Sequence, residues 1–472
     1  MTQSVLYETV ADSISGMISA GTLRPGERVP SVRRLSTQRR VSVATVLRAY
    51  EVLENRGLIE ARPNAGYYVR HRTVVADEPS ISNPPKAAQL VGISALVQDV
   101  LDSRRPGVVS FGTACPPPEF MPTGKLQRLL ASISRRKPNA LTQYVLPPGN
   151  EELRRQVARR SLDLGCNLAA KDIIVTHGAM EAVNVCVRAV AKPGDTIALE
   201  SPTYFGLLQT LESLGLKALE IPTHPRDGMS LDALEFALDR SRVAAVIAMP
   251  NAQNPLGFTM SDENKKRLVK LVDKRGIPLI EDDVYGDLHY GDERALPAKA
   301  FDRTGNVMLC SSFTKTLAPG FRLGWTAPGR WRAQVQMLKF INSVGCPEIL
   351  QMVVAEFLAS GGYDRQLRSL RRVFRDQVGH MSAAISQYFP AGTRITRPAG
   401  GFILWVELPE RCDSVELFRQ AMRNDISFGP GVLFSATDRY RNCLRIGCTE
   451  LWSPKVEQAV ARLGELAAKQ LS

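Results

Sequence analysis

The sequence predicts a mainly parallel α/β body preceded by a small helical head. Three observations carry this expectation. Residues 1–72 fit three helix-like segments and a hairpin-like pair into a stretch with eleven arginines, no lysine and six acids. From about residue 125, helical patterns alternate with short β-rich apolar runs, as expected of strands buried on both faces of a parallel sheet. Each informative run ends in polar residues, and open α/β sheets build their sites at the carboxyl ends of strands. Residues 73–90 hold few apolar anchors and several prolines and serines, and they read as a partly extended linker.

Composition narrows the class. At 472 residues, 23% charged and 44% apolar, the chain has length for two or three domains and too ordinary an apolar content for disorder. No apolar run approaches the roughly 18 residues of a membrane span. The opening Met1-Thr2-Gln3-Ser4 lacks a basic start followed by an apolar core, so secretion is not expected. Eight scattered cysteines form no C-x-x-C pair, which points to a reduced cytoplasm rather than a disulfide framework or zinc site. His71, His177, His224, His289 and His380 are not spaced as metal ligands, and no metal is expected. The arginine bias of the first 72 residues suits a surface that meets phosphates.

In the head, Leu6, Val10, Ile14, Met17 and Ile18 repeat at helical spacing, with Gly21 as a stop and Pro25-Gly26 as a turn. Val32 and Leu35 fit a short second helix within Ser31–Arg39. Ser42 is a good N-cap for a third helix, Val43 to about Asn55, closed by Gly57. Leu58–Arg62 and Tyr67–Arg70 flank Pro63-Asn64-Ala65-Gly66 as a hairpin. Three helices and a hairpin make the plan of a winged helix-turn-helix. At about 100° per residue, Val43, Val46, Leu47, Tyr50 and Leu53 share one face of the third helix, the expected core side. Ala44, Thr45 and Arg48 point the other way. A small side chain, a hydroxyl and a guanidinium there suit close approach to phosphates and base edges.

The run Gly21–Leu35, with Val41-Ser42-Val43-Ala44-Thr45-Val46 and Ala49-Tyr50-Glu51-Val52-Leu53, closely resembles the GntR family of bacterial DNA-binding domains over nearly all of residues 5–70. The resemblance implies a double-stranded DNA operator as partner. It assigns the strongest contacts to Arg33 and Arg48, phosphate contacts to Ser31, Arg34, Ser42 and Thr45, and a wing at Gly66 to the minor groove. Asn64 stands where such wings usually carry a first glycine. Asn tolerates positive φ, so the turn is expected to survive.

In the body, each run delivers chemistry. Ile173–Val175 leads into Thr176-His177-Gly178-Ala179-Met180-Glu181 at a helix start, and Thr196–Leu199 into Glu200-Ser201-Pro202-Thr203-Tyr204. Val243–Met249 leads into Pro250-Asn251-Ala252-Gln253-Asn254-Pro255. Ile277–Ile280 leads into Glu281-Asp282-Asp283-Val284-Tyr285, and Val307–Cys310 into Ser311-Ser312-Phe313-Thr314-Lys315. Gly178 lets helix-start N–H groups approach an anion closely. Ser312, Thr314 and Arg322 add donors for a phosphate. A carboxylate at Asp282 suits a protonated ring nitrogen, and a lysine among cationic donors is primed to condense with an aldehyde. Phosphate, ring nitrogen and aldehyde together describe pyridoxal phosphate.

The order Asn254-Pro255, Asp282-x-x-Tyr285, Ser312-x-Thr314-Lys315 and Arg322-x-Gly324 resembles fold-type I aminotransferases of the aspartate aminotransferase superfamily, over roughly residues 105–470. The resemblance implies a head at 1–72, a large domain with its N-terminal segment at 91–345 and a smaller α+β domain at 346–472. By that resemblance Lys315 forms the Schiff base with pyridoxal phosphate, and Asp282 pairs with the pyridine nitrogen. Asn254 and Tyr285 bond the ring hydroxyl, while Tyr204 stacks on the ring. Ala179, Met180, Ser312, Thr314 and Arg322 hold the phosphate. Arg445 takes the carboxylate of an amino acid, and Tyr144, in Tyr144–Gly149, reaches the phosphate held by the partner subunit.

A GntR-like head on an aminotransferase-like body resembles the MocR group of bacterial transcription regulators. This implies a cytoplasmic homodimer with no membrane partner, in which an amino acid, an amine or the cofactor itself alters operator binding. A turnover enzyme is not expected. The alternative is a working aminotransferase with an accessory DNA-binding domain, and the sequence leaves it open because every residue that transamination requires is present.

Overall fold

The computed structural model describes residues 6–19, 22–23, 26–56, 58–62, 66–69, 76–93, 97–98, 100 and 107–471. Gly21, Pro25, Gly57, Pro63-Asn64-Ala65, Arg70, His71 and residues 73–75 of the linker segment lie outside the described residues. The chain divides into two bodies, Met1–Val75 and Ala76–Ser472.

The head contains helices α1 (Leu6–Ser19), α2 (Val32–Arg39) and α3 (Val43–Asn55). Val10, Ile14, Leu35, Val46, Tyr50 and Leu53 build its core with Ile59 and Val69 of the hairpin. Both later helices start at a serine cap. The Ser31 hydroxyl accepts from the Arg34 N–H, and the Ser42 hydroxyl accepts from the Thr45 N–H at 3.0 Å. Each cap satisfies a donor that the helix itself leaves orphaned and is worth about 1 kcal/mol. Strands Ile59–Arg62 and Gly66–Val69 pair antiparallel, with Arg62 opposite Gly66. The expected core face of α3 needs correction. Val43 and Leu47 are 46% and 44% exposed, whereas Ala49 is fully buried. The buried stripe is Val46, Ala49, Tyr50 and Leu53, an i, i+3, i+4, i+7 series that leaves Val43 and Leu47 at its edge.

In the second body, strands lie edge to edge in the order Gln89–Leu90, Lys217–His224, Thr196–Ser201, Ala245–Ala248, Leu279–Asp282, Val307–Ser312, Gly324–Ala327 and Ile174–Thr176. The central five are parallel, and the three nearest the edges run antiparallel to their neighbours. All five runs singled out in the sequence are strands of this sheet. Their side chains alternate between two cores, Ala198, Val246 and Leu279 on one side, Ile197, Ile247 and Ile280 on the other. Burial on both faces is why these runs read as continuous rather than alternating.

A smaller antiparallel sheet follows, ordered Arg394–Ile395, Ile403–Glu407, Cys443–Gly447 and Gly429–Pro430. Residues 76–93 contain no helix and are bonded to both sheets. The Ile395 N–H donates to the Asp77 carbonyl at 2.8 Å. The Thr223 N–H donates to the Ser82 hydroxyl at 2.8 Å, and Arg226 pairs with Glu78. Gln89–Leu90 then joins the large sheet beside Lys217–Ala218. Among the described residues no helix is long and apolar enough to cross a membrane.

Candidate functional site

The polar ends of the strands converge on one cavity of about 130 Å³. Lys315, Asp282, Asn254, Tyr285, Tyr204, Ala179, Met180, Ser312, Thr314 and Arg322 all line it. Ala114, Met249 and Val284 complete the wall.

Lys315 follows strand Val307–Ser312 by three residues, and its ammonium donates to the Ala114 carbonyl at 2.6 Å. Burial pulls its pKa down to about 8; Arg445 and Arg322 push the same way, and Cys115 and Asp282 oppose them. A lysine so placed has a sizeable neutral, nucleophilic fraction near neutral pH. Asp282 ends strand Leu279–Asp282, accepts from the Val284 N–H at 3.2 Å, and is pushed up to about 7 by burial, with Asp283 adding. Burial also raises the phenols of Tyr204 and Tyr285, so both stay neutral donors.

Whether these residues suit pyridoxal phosphate can be tested on unmet bonding capacity. Asn254 Oδ1 and Thr314 Oγ1 are buried without a hydrogen-bond partner. Such orphans are costly in a folded protein and mark groups that a ligand satisfies. Gly178 adopts φ +76°, and a Cβ there would stand 3.0 Å from Arg322 Nη2 and 3.7 Å from Thr314 Oγ1. Glycine therefore keeps open the space where the N-terminus of helix Gly178–Val190, a guanidinium and a hydroxyl converge. That is an anion cradle, and the donor set fits the cofactor.

Arg445 lies in strand Cys443–Gly447, is 1% exposed, and does not line the cavity. One Nη donates to the Gly112 carbonyl, Nε has no partner, and the guanidinium sits 5.3 Å from the Phe434 ring centre and 5.7 Å from that of Phe205. Tyr144 is 85% exposed and outside the cavity of its own chain. The sequence reading missed Gly112 and Ala114, whose carbonyls hold Arg445 and Lys315. Nothing local in the sequence marks either residue; only in the fold is Gly112 constrained, where a Cβ would stand 3.2 Å from the Phe428 carbonyl oxygen.

The tertiary structure also gathers His177, Glu181 and Cys346, with ligand atoms within 4.8 Å of one another. The Lys339 ammonium lies 3.0 Å from Glu181 Oε2, and the His177 N–H, Asn342 and Ser343 donate to the same carboxylate. A resident cation already neutralises this group, so it offers little to a metal.

In the head, Ser31, Arg33, Arg34, Ser42 and Arg48 are exposed and Thr45 is half-buried. The capping serines accept through oxygen. The Ser42 and Thr45 hydroxyls also lie 2.8 Å apart and share one hydrogen. Arg48 pairs with Glu51 at 2.8 Å, both well exposed, so the pair is weak and exchangeable. Gly66 adopts φ +96° and opens the second hairpin strand; a Cβ there would crowd the Arg28 guanidinium at 3.1 Å.

The geometry defines an α/β body with a buried lysine and an anion cradle at its strand ends and, as a separate unit, a head of three helices and a hairpin. Residues 118–463 match the family of class I and II aminotransferases, and residues 6–69 match the gntR family of bacterial regulatory proteins. The chain is 39% identical to the uncharacterized HTH-type transcriptional regulator YdcR of Escherichia coli, over 98% of this chain and 99% of that one. It is 38% identical to the uncharacterized HTH-type transcriptional regulator YjiR of the same organism, over 97% and 98%. In structure it is similar to LysN, the α-aminoadipate aminotransferase of Thermus thermophilus, solved with N-(5′-phosphopyridoxyl)-L-leucine. That similarity has TM-score 0.74 and 29% identity, covering 79% of this chain and 95% of the other. The chain thus belongs to the class I and II aminotransferase family, whose cofactor is pyridoxal phosphate, and it carries a GntR-type DNA-binding head. That pairing is the MocR-type architecture.

Proposed function

We propose that the protein is a homodimeric transcription regulator in which an amino acid or amine, engaged at Lys315, changes the grip of the heads on an operator. The observation that carries this reading is the buried Lys315 amine, brought to about pKa 8 inside a cavity with unsatisfied acceptors. Bound pyridoxal phosphate supplies an aldehyde that condenses with amines and a ring that accepts electron density. Lys315 would hold the cofactor through its aldehyde, and Asp282 would keep its ring nitrogen protonated. Asn254 and Tyr285 orient the ring hydroxyl, and Tyr204 covers the ring face. Ala179, Met180, Ser312, Thr314 and Arg322 bind phosphate. Arg445 grips the ligand carboxylate, with its unpartnered Nε available for that contact. Tyr144, exposed on its own subunit, reaches the partner's phosphate.

Residues 76–82 are the segment we infer to carry a change in the body toward the head. They are bonded to both the large and the small sheet and lie just after the head in the chain. A ligand that favours one arrangement of the two sheets changes the geometry of that segment, and a difference of a few kcal/mol suffices to shift populations. Titrating the loaded protein with amino acids, while following its visible spectrum and its DNA affinity together, tests the reading. A spectral change accompanied by altered DNA affinity, without sustained turnover, is expected. Steady amino-group transfer to a 2-oxo acid with unchanged DNA affinity would favour the second reading, an active aminotransferase, which rests on the complete residue set around the cavity.

A further inference from the structure

We propose that Val43 and Leu47 form an apolar reading edge on α3 that recognises thymine methyl groups in the major groove. Both side chains were expected in the core, and both stand nearly half exposed at the start of the helix. Among the described residues of the head, the exposed large hydrophobic side chains are Leu6 and these two. Val43 and Leu47 are four residues apart, hence neighbours on one flank of α3. Ala44 and Arg48, both exposed, lie next round the helix.

The occupant follows from the head itself. Residues 6–69 match a DNA-binding family, and the stretch through residue 72 carries eleven arginines against six acids. An apolar flank offers no hydrogen bond to a purine N7, a guanine O6 or an exocyclic amine. The feature of the major groove that is itself apolar is the thymine C5-methyl group. Ala44 beside the pair permits the close approach that such a contact requires. Arg48 lies on the next face of the helix and can exchange its weak surface pair with Glu51 for a phosphate. On the Val43–Leu47 flank itself, discrimination falls to apolar contact.

The test uses the full chain and duplexes enriched from a random pool, in which each thymine is replaced singly by deoxyuridine. That change removes one methyl and leaves every hydrogen bond intact. Wild-type affinity is expected to fall about fourfold at one or two thymines, the fold-change that corresponds to one buried methyl. Val43→Ser and Leu47→Ser should each abolish the loss at one of these positions. Equal wild-type affinity for every thymine and deoxyuridine duplex would overturn the proposal without reliance on any variant. Persistence of the thymine preference in the double variant would overturn it too. So would a changed oligomeric state in the double variant with that preference intact, because the patch would then cover a second copy of the chain.

Discussion

The head and the body prepare for their ligands in opposite ways. The head keeps its polar groups at the surface, several of them already paired. Serine caps hold helix starts, and Arg48 rests on Glu51. The body buries its polar groups and leaves several unmet, among them Asn254, Thr314 and Arg445. Surface pairs exchange cheaply, so the head is suited to a polyanion met over a wide area and governed by salt. Buried orphans are costly, so the body is suited to a small ligand that fits one place. The contrast is between adaptable charge and preorganised want.

The largest test of that contrast is Lys315→Ala. It should abolish the visible absorbance of the loaded protein and any borohydride-trapped adduct, while basal DNA affinity stays within about twofold. Retained absorbance would remove the cofactor assignment at Lys315. Next in size, Arg33→Ala with Arg48→Ala should weaken operator binding and lower the slope of log affinity against log salt by about 1–2. Cofactor loading should be unaffected, and an unchanged salt slope would show that these guanidiniums stay off the phosphates.

Asp282 sharpens the comparison through pH. Its carboxyl rises from an ordinary 3.8 to about 7 in the fold, so the folded state holds a proton there that the unfolded state has released. The resulting stabilisation of cofactor-free protein is complete below about pH 4 and is lost as pH rises through about 7. Asp282→Asn should flatten part of that slope in urea titrations run from pH 4 to 8. Glu200 and Glu281, raised by burial to about 8 and about 7, leave the remainder. An identical slope in the variant would show that Asp282 is ionised in the empty cavity. The smallest expected effect belongs to the head: Ser42→Ala should cost about 1 kcal/mol of head stability by thermal unfolding, with the cofactor spectrum unchanged. A loss well below that would mean that the Thr45 hydroxyl, 2.8 Å from Ser42, replaces the cap.

Elements with strong local chemistry were legible. The α3 boundaries followed from the Ser42 cap, and the central strands followed from runs too apolar for any surface element. The cavity was legible because polar residues stood at the ends of those runs, spaced along the chain as the strands deliver them. Other features carried no local mark. Gly324–Ala327 wedges antiparallel between Val307–Ser312 and Ile174–Thr176, and nothing in its four residues announces that neighbour choice. Residues 73–90 read as a partly extended linker, and the bonds of the described part, 76–90, left no mark in the sequence because backbone groups and small hydroxyls make most of them. Val43 and Leu47 looked like core because their spacing is helical, whereas small Ala49 takes the buried place.

The residues alone determined which chemistry the chain carries, since a lysine, a carboxylate and phosphate donors at strand ends, behind an arginine-rich three-helix head, admit few combinations. Only the folded arrangement decided how that chemistry is tuned. Burial brought Lys315 to about 8 and Asp282 to about 7, and the Gly112 and Ala114 carbonyls took up their partners from more than two hundred residues away in the chain. Desolvation and long-range approach depend on what surrounds a group in space, and neighbours along the chain do not encode that.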